Sequence, residues 1–181
     1  MRPRRALTLA LAPLLLAGCT TLAGTENPVS TASLVRSDGS VAGTVKIFPQ
    51  PNGVLLRISA IGLPPGLHGV HVHAVGRCDP PGFTTAGAHW NPTGRQHGHN
   101  NPAGWHSGDL GNVGIGAEGR LAAGLLVPGA DLYTAGISAP NVLLDADGAA
   151  LVLHARADDE RSDPSGNSGD RIACAVLGPP R

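Results

Sequence analysis

The sequence predicts an all-β domain, a sandwich or flattened barrel interrupted by two long functional loops. Three observations lead there. The chain has 26 glycines and 16 prolines but only two Trp, one Tyr and two Phe, and Gly and Pro disfavour helix interiors. Its Val, Leu and Ile fall in short runs, and those runs are bounded by turn clusters such as Ser37-Asp38-Gly39, Pro49-Gln50-Pro51-Asn52-Gly53 and Pro64-Pro65-Gly66, the punctuation of strands rather than helices. A length of 181 residues holds one such domain.

The N-terminal end reads differently. Arg2, Arg4 and Arg5 precede an apolar stretch over residues 7–16, shorter than the roughly 20 residues a helix needs to span a bilayer. Residues 1–18 are therefore expected to be a signal peptide. Leu16-Ala17-Gly18-Cys19 resembles the lipobox of bacterial lipoproteins, which implies acylation of Cys19 and export of a membrane-anchored protein. Residues 19–31 are small, polar and aperiodic, the composition of a flexible tether. Thr20 follows Cys19 where an inner-membrane retention signal would carry Asp, so the expected location is the periplasm at the outer membrane. The Arg4-Arg5 pair hints at the twin-arginine route. Formal charge is zero over the whole chain, and nothing in it calls for a nucleic-acid partner.

The folded domain is expected over residues 32–181. Strands are predicted at 33–36, 41–48 and 54–61 as an antiparallel meander, and strand character resumes over 112–126, 151–154 and 171–177. Between them lie a polar loop over 78–110 and a second over 157–170; a loop of the first one's length in a compact domain is usually functional. Residues 125–150 give no clear pattern. With Cys19 assigned to lipid, Cys78 and Cys174 are left as an even pair in an oxidising compartment and are expected to form a disulfide.

The chemistry lies in the histidines. His71 and His73 are at i and i+2 on one strand, so both rings point to one face; the pair alone fits a structural role equally well. His89, His97, His106 and Asp109 follow in the first loop, and three imidazoles with one carboxylate make a tetrahedral set suited to zinc, closed to water and therefore structural. His154 stands alone on a later strand. His68 and His99 are read as structural and loop residues.

Gly69-Val-His-Val-His-Ala-Val-Gly76, Ala86-Gly-Ala-His-Trp-Asn-Pro92, His106-Ser-Gly-Asp-Leu-Gly-Asn112, Leu151-Val-Leu-His-Ala-Arg-Ala-Asp-Asp159 and Gly166-Asn-Ser-Gly-Asp-Arg-Ile-Ala-Cys174 resemble the signature segments of copper-zinc superoxide dismutases, in family order. The resemblance implies a Greek-key β-barrel, copper bound by His71, His73, His89 and His154, and zinc by His89, His97, His106 and Asp109, with His89 bridging the two. It implies that Asp158 links His71 to His97, that Arg171 stands at the mouth of the copper channel as a catalytic group, and that Cys78–Cys174 clamps the metal loop. The implied substrate is superoxide, and the implied assembly a monomer or homodimer. The second loop lacks lysine, so Arg156, Arg161 or charges elsewhere would have to draw the anion in. Two other functions compete. A copper or zinc store would need the histidines but not Arg171, and a zinc hydrolase is disfavoured because four protein ligands fill the zinc.

Overall fold

The computed structural model describes residues 27–133 and 141–180. Among them are eight strands: β1 (Ser30–Arg36), β2 (Val41–Gln50), β3 (Gly53–Ala60), β4 (Gly66–His73), β5 (Asp109–Ile115), β6 (Leu121–Pro128), β7 (Ala149–His154) and β8 (Arg171–Gly178), with a single 3-10 turn at Thr84–Ala86. The turn chemistry sets the boundaries. Between β1 and β2, Asp38 Oδ1 accepts from the Ser40 backbone N–H at 2.8 Å, and Gly39 takes φ 84°, a conformation that costs glycine nothing.

All ladders are antiparallel, in the order β5-β4-β7-β8-β1-β2-β3-β6. The edge strands β5 and β6 touch one another, so the sheet is a nearly closed barrel. Only β1, β2 and β3 follow the expected meander. The chain then crosses from β3 to β4 and from β6 to β7, the long returns of a Greek key.

Strands β2 and β3 alternate: Val45, Ile47, Leu56 and Ile58 face the core, while Lys46 and Arg57 face out. Alternation fails on β4 from His68 to His73 and along all of β7, where every residue is buried. One face of these strands gives Val70, Val72, Leu151 and Leu153 to the core. The other lies beneath the two long loops. Phe83 and Ala86 of the first loop pack there on Ala150, Val152 and Cys174, and the Cys78–Cys174 disulfide closes the contact. A dry, two-sided pair of strands is thus what carries His71, His73 and His154.

Three details differ from the sequence reading. Strand β1 begins at Ser30, inside the expected tether, because Val29 N–H bonds Ile47 O at 2.9 Å and Ser30 pairs with Ile47. The segment 112–126 is divided between two strands, since Gly119 at φ 68° turns the chain between β5, on one edge of the sheet, and β6, on the other. Part of the unassigned stretch 125–150 belongs to the core: Asp131 bridges Val142, and Leu132, Leu143 and Leu144 are buried. The expected signal peptide and Cys19 lie outside the described residues.

Candidate metal centre

His71 and His73 project from the outer face of β4, and His154 ends β7, two strands joined by a direct ladder. An isolated bridge between His73 and His89 lays the first loop against β4 and brings in the fourth ring. The ring centroids are 4.0 Å apart for His71 and His89, 4.9 Å for His73 and His89, and 4.7 Å for His71 and His154.

Each of these rings has one nitrogen engaged outward. His71 Nε2 meets Asp158 Oδ2 at 2.7 Å, His73 Nδ1 donates to Gly87 O at 2.8 Å, His154 Nδ1 donates to Gly169 O at 3.0 Å, and His89 Nδ1 meets Asp109 Oδ1 at 2.8 Å. The other four nitrogens, His71 Nδ1, His73 Nε2, His89 Nε2 and His154 Nε2, are buried without a hydrogen-bond partner and converge within 4.8 Å of one another. A buried polar atom left unpaired costs free energy, and four aimed at one point fit a cation. Burial holds the His73 ring well below the ordinary histidine value, His89 at about 4, His154 at about 3, and His71 also low. These rings are therefore neutral near pH 7 and present lone pairs, the form a metal binds.

Behind His89 lies a second cluster around Asp109. Its Oδ1 is 2.8 Å from His89 Nδ1, 3.0 Å from His97 Nδ1 and 3.1 Å from His106 Nδ1, and the His89 and His106 Nδ1 atoms are 3.3 Å apart. Ligands about 2.0 Å from a tetrahedral zinc stand about 3.3 Å from each other, so these donors are spaced for one ion. The group of four around Asp109 whose donor atoms all fall within 4.8 Å of one another contains His71 beside His89, His97 and Asp109; His106 joins through its Nδ1 contacts to Asp109 and His89. Asp109 Oδ2 is occupied by the backbone N–H groups of Gly98 and His106, each at 3.0 Å. Burial works against the charge on Asp109, but bonds from His106, His89 and His97 outweigh it and hold the carboxyl far below its usual range. His97 is also partly desolvated, yet Asp109 and Asp158 raise it to about 9. A bound cation would take the place of that proton.

Asp158 joins the two clusters as the resemblance implied: Oδ2 holds His71, and Oδ1 lies 3.0 Å from His97 Nε2. Its backbone N–H and C=O are both bonded by the Asn112 side chain, at 2.7 and 2.9 Å. Gly166, at φ 60°, packs so closely that a Cβ there would collide with the Asp158 carboxylate.

Arg171 opens β8 opposite His154. Its Nη1 and Nη2 donate to Phe83 O and Gly87 O at 2.7 and 2.8 Å, both on the loop segment tied to β8 by the disulfide. Burial lowers its pKa, and a guanidinium remains charged near neutrality. With His89, His154, Arg95 and Asp163 it lines an open cavity of about 800 Å³. Arg95, rather than Arg156 or Arg161, is the second arginine on this wall.

His68, within β4, has the expected structural role, donating from Nδ1 to His154 O at 2.8 Å. His99 stacks on Trp105, with centroids 5.1 Å apart. The sequence reading missed the carbonyls of Phe83 and Gly87, the Asn112 side chain, and Asp163. Backbone carbonyls leave no mark in a sequence, and the other two act across more than 40 residues.

A sequence model of the copper/zinc superoxide dismutase family matches residues 41–177. The chain is 40% identical to Superoxide dismutase [Cu-Zn] 2 of Aquifex aeolicus (strain VF5) over 81% of its own length and 84% of that protein's. It is 41% identical to Superoxide dismutase [Cu-Zn] of Caulobacter vibrioides over 82% and 84% of the two chains. Among solved structures, a SOD-like protein from Bacillus subtilis is similar with TM-score 0.77 and 38% identity, covering 81% of this chain and 97% of that one. The Cu/Zn superoxide dismutase from Brucella abortus gives TM-score 0.62 at 28% identity, over 82% and 98%. With its barrel, its two histidine clusters and these matches, the chain belongs to the copper/zinc superoxide dismutase family.

Proposed function

We propose that His71 Nδ1, His73 Nε2, His89 Nε2 and His154 Nε2 hold copper, that His89 Nδ1, His97 Nδ1, His106 Nδ1 and Asp109 Oδ1 hold zinc, and that the enzyme disproportionates superoxide there. One observation carries this reading. Four buried, unpaired imidazole nitrogens face one point, while the opposite nitrogen of His89 faces a second point already marked by a carboxylate.

Copper, when bound, supplies the one-electron couple that oxidises one superoxide to dioxygen and reduces a second, with two protons, to hydrogen peroxide. The chain's own residues do the rest. Arg171, held by two carbonyls, presents a fixed positive charge and hydrogen-bond donors to the entering anion. Arg95 adds a charge on the same wall. Asp158, Gly87 O and Gly169 O keep a proton on the outward nitrogen of their rings, which fixes the tautomer and leaves the inward nitrogen as donor.

Cys19 is assigned as the lipid anchor of an exported protein at the outer membrane. The eleven residues from there to Ser30 reach about 40 Å when extended, enough to let the barrel stand clear of a headgroup layer.

Metal analysis of purified variants tests the ligand assignment. His154→Ala is expected to lose copper and keep zinc, and Asp109→Ala to lose zinc first. Equal retention of both metals in either variant contradicts its assignment. In the same preparations, Cys19→Ser should move from the membrane to the soluble fraction, and persistence on membranes would refute the anchor.

A further inference from the structure

The second loop grips His97 at two points. Asp158 Oδ1 meets the ring Nε2 at 3.0 Å, and Asp163 Oδ1 accepts the His97 backbone N–H at 2.7 Å. The same Oδ1 lies 3.8 Å from His106 Nε2. Asp163 therefore holds the backbone of one proposed zinc ligand and stands beside the ring of another.

Turn geometry does not account for this contact. The turn at Asp163 is closed by Gly166 N–H on Ser162 O at 2.6 Å, without use of the Asp163 carboxylate. Other ties between the loops, Asn100 N–H to Glu160 O at 2.9 Å and Asn101 Nδ2 to Arg161 O at 3.4 Å, fall beyond His97; Asn101 Nδ2 also reaches His97 O at 3.1 Å, which leaves the His97 N–H to Asp163.

The position also carries a cost. The Asp163 side chain is 50% exposed and lines the cavity that holds Arg171, Arg95 and His154. A carboxylate on that wall repels an anionic substrate that the two arginines attract.

We infer that Asp163 is a positioning residue, a latch from the second loop to the His97 backbone that keeps the zinc ligands in register, and that its charge weakens anion binding on the copper side. The inference rests on the assignment of His97 to zinc. The two properties separate chemically: asparagine keeps an acceptor oxygen and discards the charge, whereas alanine discards both.

The test uses the metallated protein in four forms: wild type, Asp163→Asn, Asp163→Ala and, as a smaller change, Asp163→Ser. Three quantities are read: the rate of zinc release to a chelator, hydrogen exchange at the His97 amide, and the affinity of the Cu(II) form for azide, followed spectroscopically at low and high salt. Asp163→Ala and Asp163→Ser are expected to release zinc about tenfold faster or more and to lose protection at His97. Asp163→Asn should stay within about threefold of wild type on both counts, because its amide oxygen rescues the bond. All three variants should bind azide roughly two- to fivefold more tightly at low ionic strength, with the difference fading at high salt. Wild-type zinc release and His97 protection in Asp163→Ala and Asp163→Ser would overturn the latch. Unchanged azide affinity at low salt would overturn the electrostatic half. His97→Ala protein that keeps its zinc would overturn the ligand assignment and the latch together.

Discussion

Arg171 has two of its three guanidinium nitrogens committed to Phe83 O and Gly87 O, and neither partner is a metal ligand. It can therefore be changed without touching a ligand atom. Arg171→Glu is expected to cut kcat/KM by about tenfold or more while copper and zinc content stay near wild type, because the charge at this point of the cavity wall is reversed and the two bonds lost with it, to Phe83 O and Gly87 O, involve no proposed ligand atom. Arg171→Lys should lose less, keeping the charge but not the planar fork. Superoxide decay measured with metal analysis checks both. A metallated Arg171→Glu protein as fast as wild type would remove this residue from the account. At this scale the residues that converge were visible in the sequence chiefly through the family resemblance: the period-2 spacing of His71 and His73 alone fitted a structural role equally well, while His89, His97, His106 and Asp109 stood out by donor type within one aperiodic loop. Asp163 did not, since its partner is a backbone N–H 66 positions away, and a lone Asp before Pro reads as an ordinary turn.

The two loops are ordered by what lies under them rather than by their own sequence. The first is pinned by Phe83 and Ala86 against β7 and β8 and by the disulfide, which spans 96 residues; the chain-entropy model gives such a closure about 4 to 5 kcal/mol. Cys78→Ser is expected to lower the urea midpoint by a corresponding amount and, because Phe83 O and Gly87 O then loosen around Arg171, to lower activity more than metal content. An unchanged midpoint would show that the apolar contacts alone dock the loop. The sequence marked this loop by its length and composition, and the strands by their alternation. It did not mark the order of the strands, because the crossings from β3 to β4 and β6 to β7 depend on which edges meet in space. Strand character over 112–126 covers both β5 and β6, which are separated by a turn between Gly116 and Gly119.

Taken as a whole, the molecule buries a cluster of ionisable groups beside its barrel, and without metal its stability must follow their titration. Burial depresses His89 to about 4 and His154 to about 3, against about 6.5 in an unfolded chain. As pH falls from about 6.5 toward 4 the unfolded chain takes up protons that the folded one refuses, so stability drops, on the order of several kcal/mol for the two rings. His97 acts in the opposite sense. Raised to about 9, its contribution is complete below about 6.5 and is lost as pH rises through 9. The metal-free protein should therefore be most stable near pH 6.5 and weaken on both sides, which urea titrations between pH 4 and 10 would measure. A stability that rises steadily across that range would contradict the arrangement of charges around Asp109 and Asp158.

The most direct measurement follows superoxide decay by the purified domain, loaded with one copper and one zinc per chain, beside free copper at equal concentration. The site described here predicts decay far faster than the free-copper control, slowed as ionic strength rises because arginine charges draw in the anion. Full occupancy of both metals with decay no faster than the control would contradict the account, leaving a protein that binds the two metals without turning over superoxide.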